Sequence, residues 1–230
     1  MTKNAMLMWG FLLLLVFAAP RAGDAQVRIA VSAGPTFATL GGDDARIPFG
    51  EDRGEVVELG SETGFFAGAS LSVPLGGILS VSPGVYFVQK GTTFDRDLGF
   101  QSGSVELSYV EVPVTIGVAV TGANLPVDVS LFAGPEVSFE LDCTLDFDSS
   151  FSIQLRYDQL DDCQPASDLE EGARRKSVLY GLVFGAEVSY RSFLIRGGLD
   201  MGLTSLDDTD ADEDFSNRAW FLGVGYVVGG

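Results

Sequence analysis

The sequence contains no histidine and is poor in positive charge, with 14 Lys and Arg residues against 32 Asp and Glu residues and a formal net charge of −18. Without histidine, the commonest general base and metal ligand is missing, and Ser–His or Cys–His catalysis is excluded. Because phosphate contacts need clustered Lys and Arg, the charge argues against a nucleic-acid partner. Neither a phosphate-binding loop nor a dinucleotide-binding glycine pattern is present. We therefore expect a non-enzymatic protein.

Long apolar runs are also scarce, and the one that exists lies at the N-terminus. Met6–Ala19 follows the positive Lys3 and is too short to span a bilayer comfortably. Pro20 ends the run, and Gly23-Asp24-Ala25 offers small residues for cleavage. We predict a signal peptide over residues 1–25 and a mature domain over 26–230. An uncleaved anchor helix is the alternative.

After residue 26 the apolar residues recur with a period of two, which predicts strands. Ordinary globular strands have about 5–6 residues, whereas a tilted membrane strand needs about 9–11. The runs found here match the longer class. The eight predicted strands are Val27–Leu40, Thr63–Val73, Ile78–Lys90, Ser104–Val120, Val127–Glu140, Val178–Tyr190, Phe193–Ser205 and Arg218–Val228.

The connections between these strands alternate in length. Short ones are Pro74–Gly77, Thr121–Pro126 and Arg191-Ser192, and the long ones between them hold 24 of the 32 acidic residues. Outer-membrane barrels have short periplasmic turns and long extracellular loops. The sequence thus predicts an all-β, eight-stranded, antiparallel up-and-down transmembrane barrel with four long acidic extracellular loops. Its predicted location is the outer membrane of a Gram-negative-type bacterium.

The alternation also predicts which side chains face lipid. In the fourth strand, Val110, Val112, Val114, Ile116 and Val118 share one face, and Tyr109, Glu111, Pro113, Thr115 and Gly117 share the other. Since side chains fill an eight-stranded barrel, we expect the polar face to pack the lumen, with inward glycines making room. A polar path for ions is the alternative. The predicted ion-pair network comprises Arg28, Tyr86, Lys90, Tyr109, Glu111, Glu136, Glu187, Arg196 and Asp200.

Four prolines fall inside predicted strands: Pro35, Pro83, Pro113 and Pro135. Each removes a hydrogen-bond donor from the strand ladder. Bulges or water-filled gaps would accommodate them, and the strand register around them stays open.

Several segments resemble the PorT-like outer-membrane β-barrel family. They are Gly64-Phe65-Phe66-Ala67-Gly68, Ser82-Pro83-Gly84-Val85-Tyr86, Tyr109-Val110-Glu111-Val112-Pro113-Val114, Phe132-Ala133-Gly134-Pro135 and Val183-Phe184-Gly185-Ala186. The resemblance covers nearly the whole mature chain and implies an eight-stranded outer-membrane barrel. The family's named member is associated with a protein-secretion apparatus. One departure is the ending, where Tyr226 is followed by Val-Val-Gly-Gly and not by a terminal aromatic residue.

Three features of the long connections suggest chemistry. Cys143 and Cys163 are expected to form a disulfide, as in many exported proteins; two free thiols or a metal pair are the alternatives. Asp208, Asp210, Asp212 and Asp214 could gather Ca²⁺, although a solvated, self-repelling loop is the simpler interpretation. The basic cluster Arg174-Arg175-Lys176 would contact lipid phosphates or snorkel. No other cofactor is expected.

Three functions fit this pattern. The first is a non-enzymatic membrane barrel whose loops bind outer-membrane lipid or lipopolysaccharide, or an envelope or secretion protein. The second is a narrow channel for small solutes or ions. The third is a soluble, lipocalin-like calyx that binds an apolar ligand, which would place the valines inside and the charges outside.

Overall fold

The structure is a computed structural model that describes residues 27–41, 58–95, 102–120, 126–148, 177–204 and 216–229. These residues form a closed barrel in which each strand pairs antiparallel with the next and the last pairs with the first. The fold class is therefore confirmed. The strands are β1 (Arg28–Gly41), β2 (Glu58–Gly76), β3 (Leu79–Asp95), β4 (Ser102–Ala119), β5 (Asp128–Asp148), β6 (Val178–Tyr190), β7 (Phe193–Gly202) and β8 (Ser216–Val228).

In the part of the chain that the structure describes, there is no helix with the length and apolarity required to cross a membrane.

Several predicted connections differ from the structure, and two of them are shorter because β2 begins at Glu58 and β5 continues to Asp148. Within the predicted connection 91–103, residues 91–95 and 102–103 are paired strand, because β3 runs to Asp95 and β4 begins at Ser102. The turn between β2 and β3 lies at Gly77-Ile78, since β2 continues through Pro74 to Gly76. Positive φ angles of 108° at Gly76 and 60° at Gly77 reverse the chain there, a conformation that glycine adopts without steric cost.

The barrel wall is uneven in height. Strands β2 to β5 have 19, 17, 18 and 21 residues, whereas β1, β6, β7 and β8 have 14, 13, 10 and 13. The register of β4 with β5 continues to Ser102 and Asp148, but that of β5 with β6 ends at Phe139 and Val178. Four adjacent strands therefore extend as a sheet beyond the rest of the barrel, at the end that carries the long connections.

The predicted sidedness is confirmed along the strands. In β4 the side chains of Val114 and Ile116 are exposed, while Tyr109, Glu111 and Thr115 are buried. In β8 every second side chain is exposed, namely Trp220, Leu222, Val224, Tyr226 and Val228. The apolar stripes lie outside and the charges inside. The soluble-calyx alternative required the opposite arrangement and is therefore wrong.

Outward aromatic residues lie near both ends of the barrel, as expected for membrane–water interfaces. Phe193 and Tyr226 are edge to face near the short turns, with ring centroids 6.0 Å apart. Near the opposite end, Phe37 and Trp220 are register partners on β1 and β8, and both are exposed.

Each internal proline lies where the register with one neighbouring strand is interrupted. The register of β1 with β8 omits Gly34-Pro35, and that of β4 with β5 omits Gly134-Pro135; Pro83 and Pro113 lie in similar gaps toward β2 and β3. A Cβ added at Gly34 would lie 2.0 Å from the carbonyl oxygen of Leu222. Glycine before the proline thus lets the adjacent backbone approach where the ladder lacks a donor.

Candidate functional site

A charged layer occupies the lumen on the side of the barrel toward the long connections. Lys90 of β3 lies among Glu111 of β4, Glu136 of β5 and Asp200 of β7, and all four residues are at most 6% exposed. The Lys90 Nζ atom is 2.5 Å from Glu111 Oε1 and 4.0 Å from Glu136 Oε1, and it donates a hydrogen bond to Asp200 Oδ2. Each residue sits at an inward position of its strand, so the alternation that exposes the valines also buries these charges.

The three carboxylates are close enough to one another to surround a cation. Their ligand oxygens lie within 4.8 Å of one another, and the Lys90 ammonium contacts all three residues. A buried charge is tolerated when it is paired and hydrogen-bonded. Lys90 thus places one positive charge from within the chain among the three carboxyl groups.

A second, aromatic layer lies next to the charged one, on the side toward the short turns. The Arg196 guanidinium carbon lies 5.0 Å from the ring centroid of Tyr86, 5.1 Å from that of Phe132 and 5.7 Å from that of Phe221. Arg196 Nη1 also donates a hydrogen bond to the Tyr86 hydroxyl. Phe66 completes the layer, with its ring 5.5 Å from that of Phe221. Cation–π contacts of this kind strengthen when the cation is desolvated.

Inward glycines give the aromatic rings their space. A Cβ at Gly185 would lie 2.7 Å from Phe132 Cζ, and one at Gly198 would lie 2.8 Å from Phe221 Cζ. Gly223 and Gly68 make the same room for Phe66 and Tyr86. The sequence predicted that inward glycines make room for the network side chains, and Gly68 does so for Tyr86, whereas Gly185 and Gly198 make room for phenylalanine rings.

The predicted network residues fall into three groups. Lys90, Glu111, Glu136 and Asp200 form the charged layer, and Tyr109 lies beside it, with its ring centroid 5.8 Å from Lys90 Nζ. Tyr86 and Arg196 belong to the aromatic layer. Arg28 lies nearer the short turns and pairs with Asp128 at 3.9 Å, with both side chains partly exposed. Glu187 is the register partner of Arg196 on the adjacent strand.

Sequence reasoning missed the three phenylalanines of the aromatic layer. The signal was present, because each shares strand parity with an inward glycine two residues away: Phe66 with Gly68, Phe132 with Gly134, and Phe221 with Gly223. Inward and outward phenylalanines can be told apart on that basis.

The two layers divide the interior into separate spaces. A cavity of about 40 Å³ is lined by residues of both layers, among them Lys90, Asp200, Arg196 and Phe66. A larger cavity of about 300 Å³ lies toward the short turns, with Arg196 and Tyr86 at its inner end and Arg28 and Asp128 among its walls. We call the larger space the periplasmic vestibule, because short turns face the periplasm in barrels of this kind.

Other predicted features lie outside the described residues. These are the signal peptide over 1–25, the basic cluster at 174–176, Cys163, and the acidic residues Asp208, Asp210, Asp212 and Asp214. Cys143 is buried in β5. The disulfide and the Ca²⁺ site therefore stay predictions.

Comparison with known proteins places the chain in a family. No curated protein matches it. Among solved structures, the attachment invasion locus protein Ail of Yersinia pestis is similar at 13% identity over 88% of this chain and 99% of that one, with a TM-score of 0.44. The outer membrane protein OprG from Pseudomonas aeruginosa is similar at 12% identity over 90% and 98%, with a TM-score of 0.48. The sequence profile of the outer membrane protein beta-barrel domain matches residues 20–208. The chain therefore belongs to the outer membrane protein beta-barrel domain family and is a protein of the bacterial outer membrane.

Proposed function

We propose that this protein is a non-enzymatic outer-membrane barrel that is closed to solutes and acts by binding a partner at its extracellular end. The observation that carries the proposal is the pair of adjacent layers across the lumen. An eight-stranded barrel is only wide enough for its own side chains, and here Lys90 with three carboxylates and Arg196 with four aromatic rings fill that width.

The extracellular end offers the surface for a partner. Strands β2 to β5 extend past the apolar band, and on their outer face Glu106 and Asp142 are exposed. The net charge of −18 resides largely in the connections at this end. Such a surface favours a partner with a positive patch, because complementary charge speeds encounter and selects among partners.

We infer that the partner is a protein of the cell envelope, and the PorT-like resemblance makes a secretion component our first candidate. A second candidate ligand is lipopolysaccharide, which Ca²⁺ would link to the negatively charged loops. Neither requires a pore.

Electrical recording tests the closed lumen. The protein in planar bilayers should give no discrete current steps, whereas Phe132→Ala should begin to leak because it removes a ring from the aromatic layer. The adjacent, outward-facing Leu131→Ala is the matched control and should stay silent. Steady single-channel steps from the unmodified protein would instead establish the narrow channel.

Site-specific photo-crosslinking in cells tests the binding surface. A crosslinking residue at Glu106 or Asp142 should yield a discrete protein adduct. One at Val85, which is exposed on the apolar face, should yield only lipid adducts. If Glu106 and Asp142 give the same lipid adducts as Val85, the extracellular binding role is wrong.

A further inference from the structure

We propose that the periplasmic vestibule is a blind binding site for a small polyhydroxylated carboxylate, such as a sugar acid. This site lies at the opposite end from the surface proposed above and does not depend on it. Its inner end is closed by Arg196 and Tyr86, so a ligand would enter and leave from the periplasm.

The vestibule walls are rich in hydroxyl groups. Small hydroxyl side chains project from several strands and leave a cavity of about 300 Å³, at the lower end of the roughly 300–1,000 Å³ range of small-molecule sites. Hydroxyls both donate and accept hydrogen bonds, which suits a ligand that itself carries several hydroxyls. The serines that line the cavity are Ser70, Ser72, Ser80, Ser82, Ser130 and Ser189.

Arg196 supplies the positive charge at the inner end. It is 8% exposed, its Nε has no hydrogen-bond partner, and among the described residues it has no carboxylate within ion-pair distance. A buried cation that makes no direct ion pair is costly, and Glu187, the register partner of Arg196 on β6, adds its negative charge only from beyond ion-pair distance. Guanidinium groups match carboxylates in charge and shape. A carboxylate that enters the vestibule would therefore form the direct ion pair with Arg196 that Glu187 does not make.

The other charges in the vestibule limit the ligand to a single negative charge. Arg28 is already paired with Asp128, so it adds little attraction. Glu187 lines the same cavity and would repel an anion near Arg196. A monoanionic carboxylate is thus favoured over a dianionic phosphate.

Calorimetric titration of the full-length protein in lipid nanodiscs with three matched probes tests this site. Glucuronate carries both hydroxyls and a carboxylate, glucose lacks the carboxylate, and acetate lacks the hydroxyls. Glucuronate should bind about tenfold or more tightly than either of the others, the usual gain from a charge-assisted hydrogen bond. Equal binding of glucuronate and glucose, or no binding of any probe, would overturn the proposal.

Variants tie the binding to the vestibule. Arg196→Gln should lower glucuronate affinity about tenfold or more. Since Arg196 also packs in the aromatic layer, Glu187→Gln provides a test in the opposite direction and should tighten binding by removing the repulsion. Ser130→Leu should obstruct the cavity, whereas Ser177→Leu, at an exposed position near the other end, should not affect binding. Unchanged affinity in both Glu187→Gln and Ser130→Leu would contradict the assignment.

Discussion

Replacing Lys90 with methionine removes the only positive charge within the charged layer while keeping much of the side-chain volume. The ammonium group lies 2.5 Å from one carboxylate oxygen and 4.0 Å from another, and it also hydrogen-bonds Asp200. Removing one partner of a buried ion pair costs about 3–5 kcal/mol, because the remaining charge is left uncompensated. Two unit charges 4 Å apart interact by about 4 kcal/mol at an effective dielectric of 20, which is the same order. We therefore expect Lys90→Met to lower the free energy of unfolding by about 3–5 kcal/mol.

Urea unfolding in lipid vesicles, followed by heat-modifiable gel migration and tryptophan fluorescence, measures this loss. Arg28→Met is the matched control, because it removes a cation from a partly exposed pair and should cost only about 0–1 kcal/mol. Adding Glu111→Gln and Glu136→Gln to Lys90→Met should restore part of the stability, since fewer negative charges are then left unpaired. Equal losses for Lys90→Met and Arg28→Met would refute the buried-pair reasoning.

Three further predictions concern the lipid face, the inner wall and the extracellular end. Leu222→Arg places a charge at an outward position in mid-strand and should destabilise the barrel in vesicles by about 2–4 kcal/mol, whereas an equal loss in detergent and lipid would argue that Leu222 does not contact acyl chains. Gly185→Ala should impair folding, because the added Cβ would lie 2.2 Å from a backbone oxygen. The control Gly197→Ala, whose added Cβ has its nearest contact at 3.2 Å, should fold nearly normally. Similar folding yields for the two variants would count against the inner-wall packing. Cys143 and Cys163 should be disulfide-bonded, so intact-mass analysis should show two fewer hydrogens than the reduced form, and reduction should lower stability by roughly 3 kcal/mol; free thiols in the native protein would exclude the bond.

The strand pattern could be predicted from the sequence because membrane strands alternate strictly. In β6 both ends, Val178 and Tyr190, agree with the prediction, since a lipid-facing and a lumen-facing residue alternate throughout. The same logic fails above the membrane, where the polarity of the two faces is reversed: Val105, Leu107 and Cys143 are buried inside, and the exposed outer residues include acids. There β5 continues to Asp148 and β3 to Asp95, and residues that pair in extended strands resemble a loop in composition.

The sequence predicts which side chains face the interior but not which of them contact one another. Alternation identifies Lys90 and Arg196 as inward, but period two alone does not give the relative heights of residues on different strands. Those heights follow from the strand register, which pairs Lys90 with Leu107 and Glu187 with Arg196. Consequently the sequence combined three cations into one network, whereas in the barrel Lys90 contacts carboxylates, Arg196 contacts aromatic rings and Arg28 pairs with Asp128.

The prolines show how a local rule can mislead. Pro113 argues against a central strand when each ladder is assumed to be complete. In the barrel its register is interrupted toward β3 and continues toward β5 at Glu136. One interrupted ladder can be tolerated because the strand keeps its pairing on the other side.

A closed barrel in the membrane requires β4 to present alternate residues to lipid and to the packed interior. Spin labels placed singly from residue 109 to residue 118, in vesicles, can be compared for accessibility to oxygen, which partitions into the bilayer, and to a water-soluble nickel chelate. We expect oxygen accessibility to peak with a period of two at Val110, Val112, Val114, Ile116 and Val118, with low oxygen accessibility between them. Peaks at Glu111 and Thr115, or no alternation at all, would contradict the barrel sidedness on which the closed lumen rests.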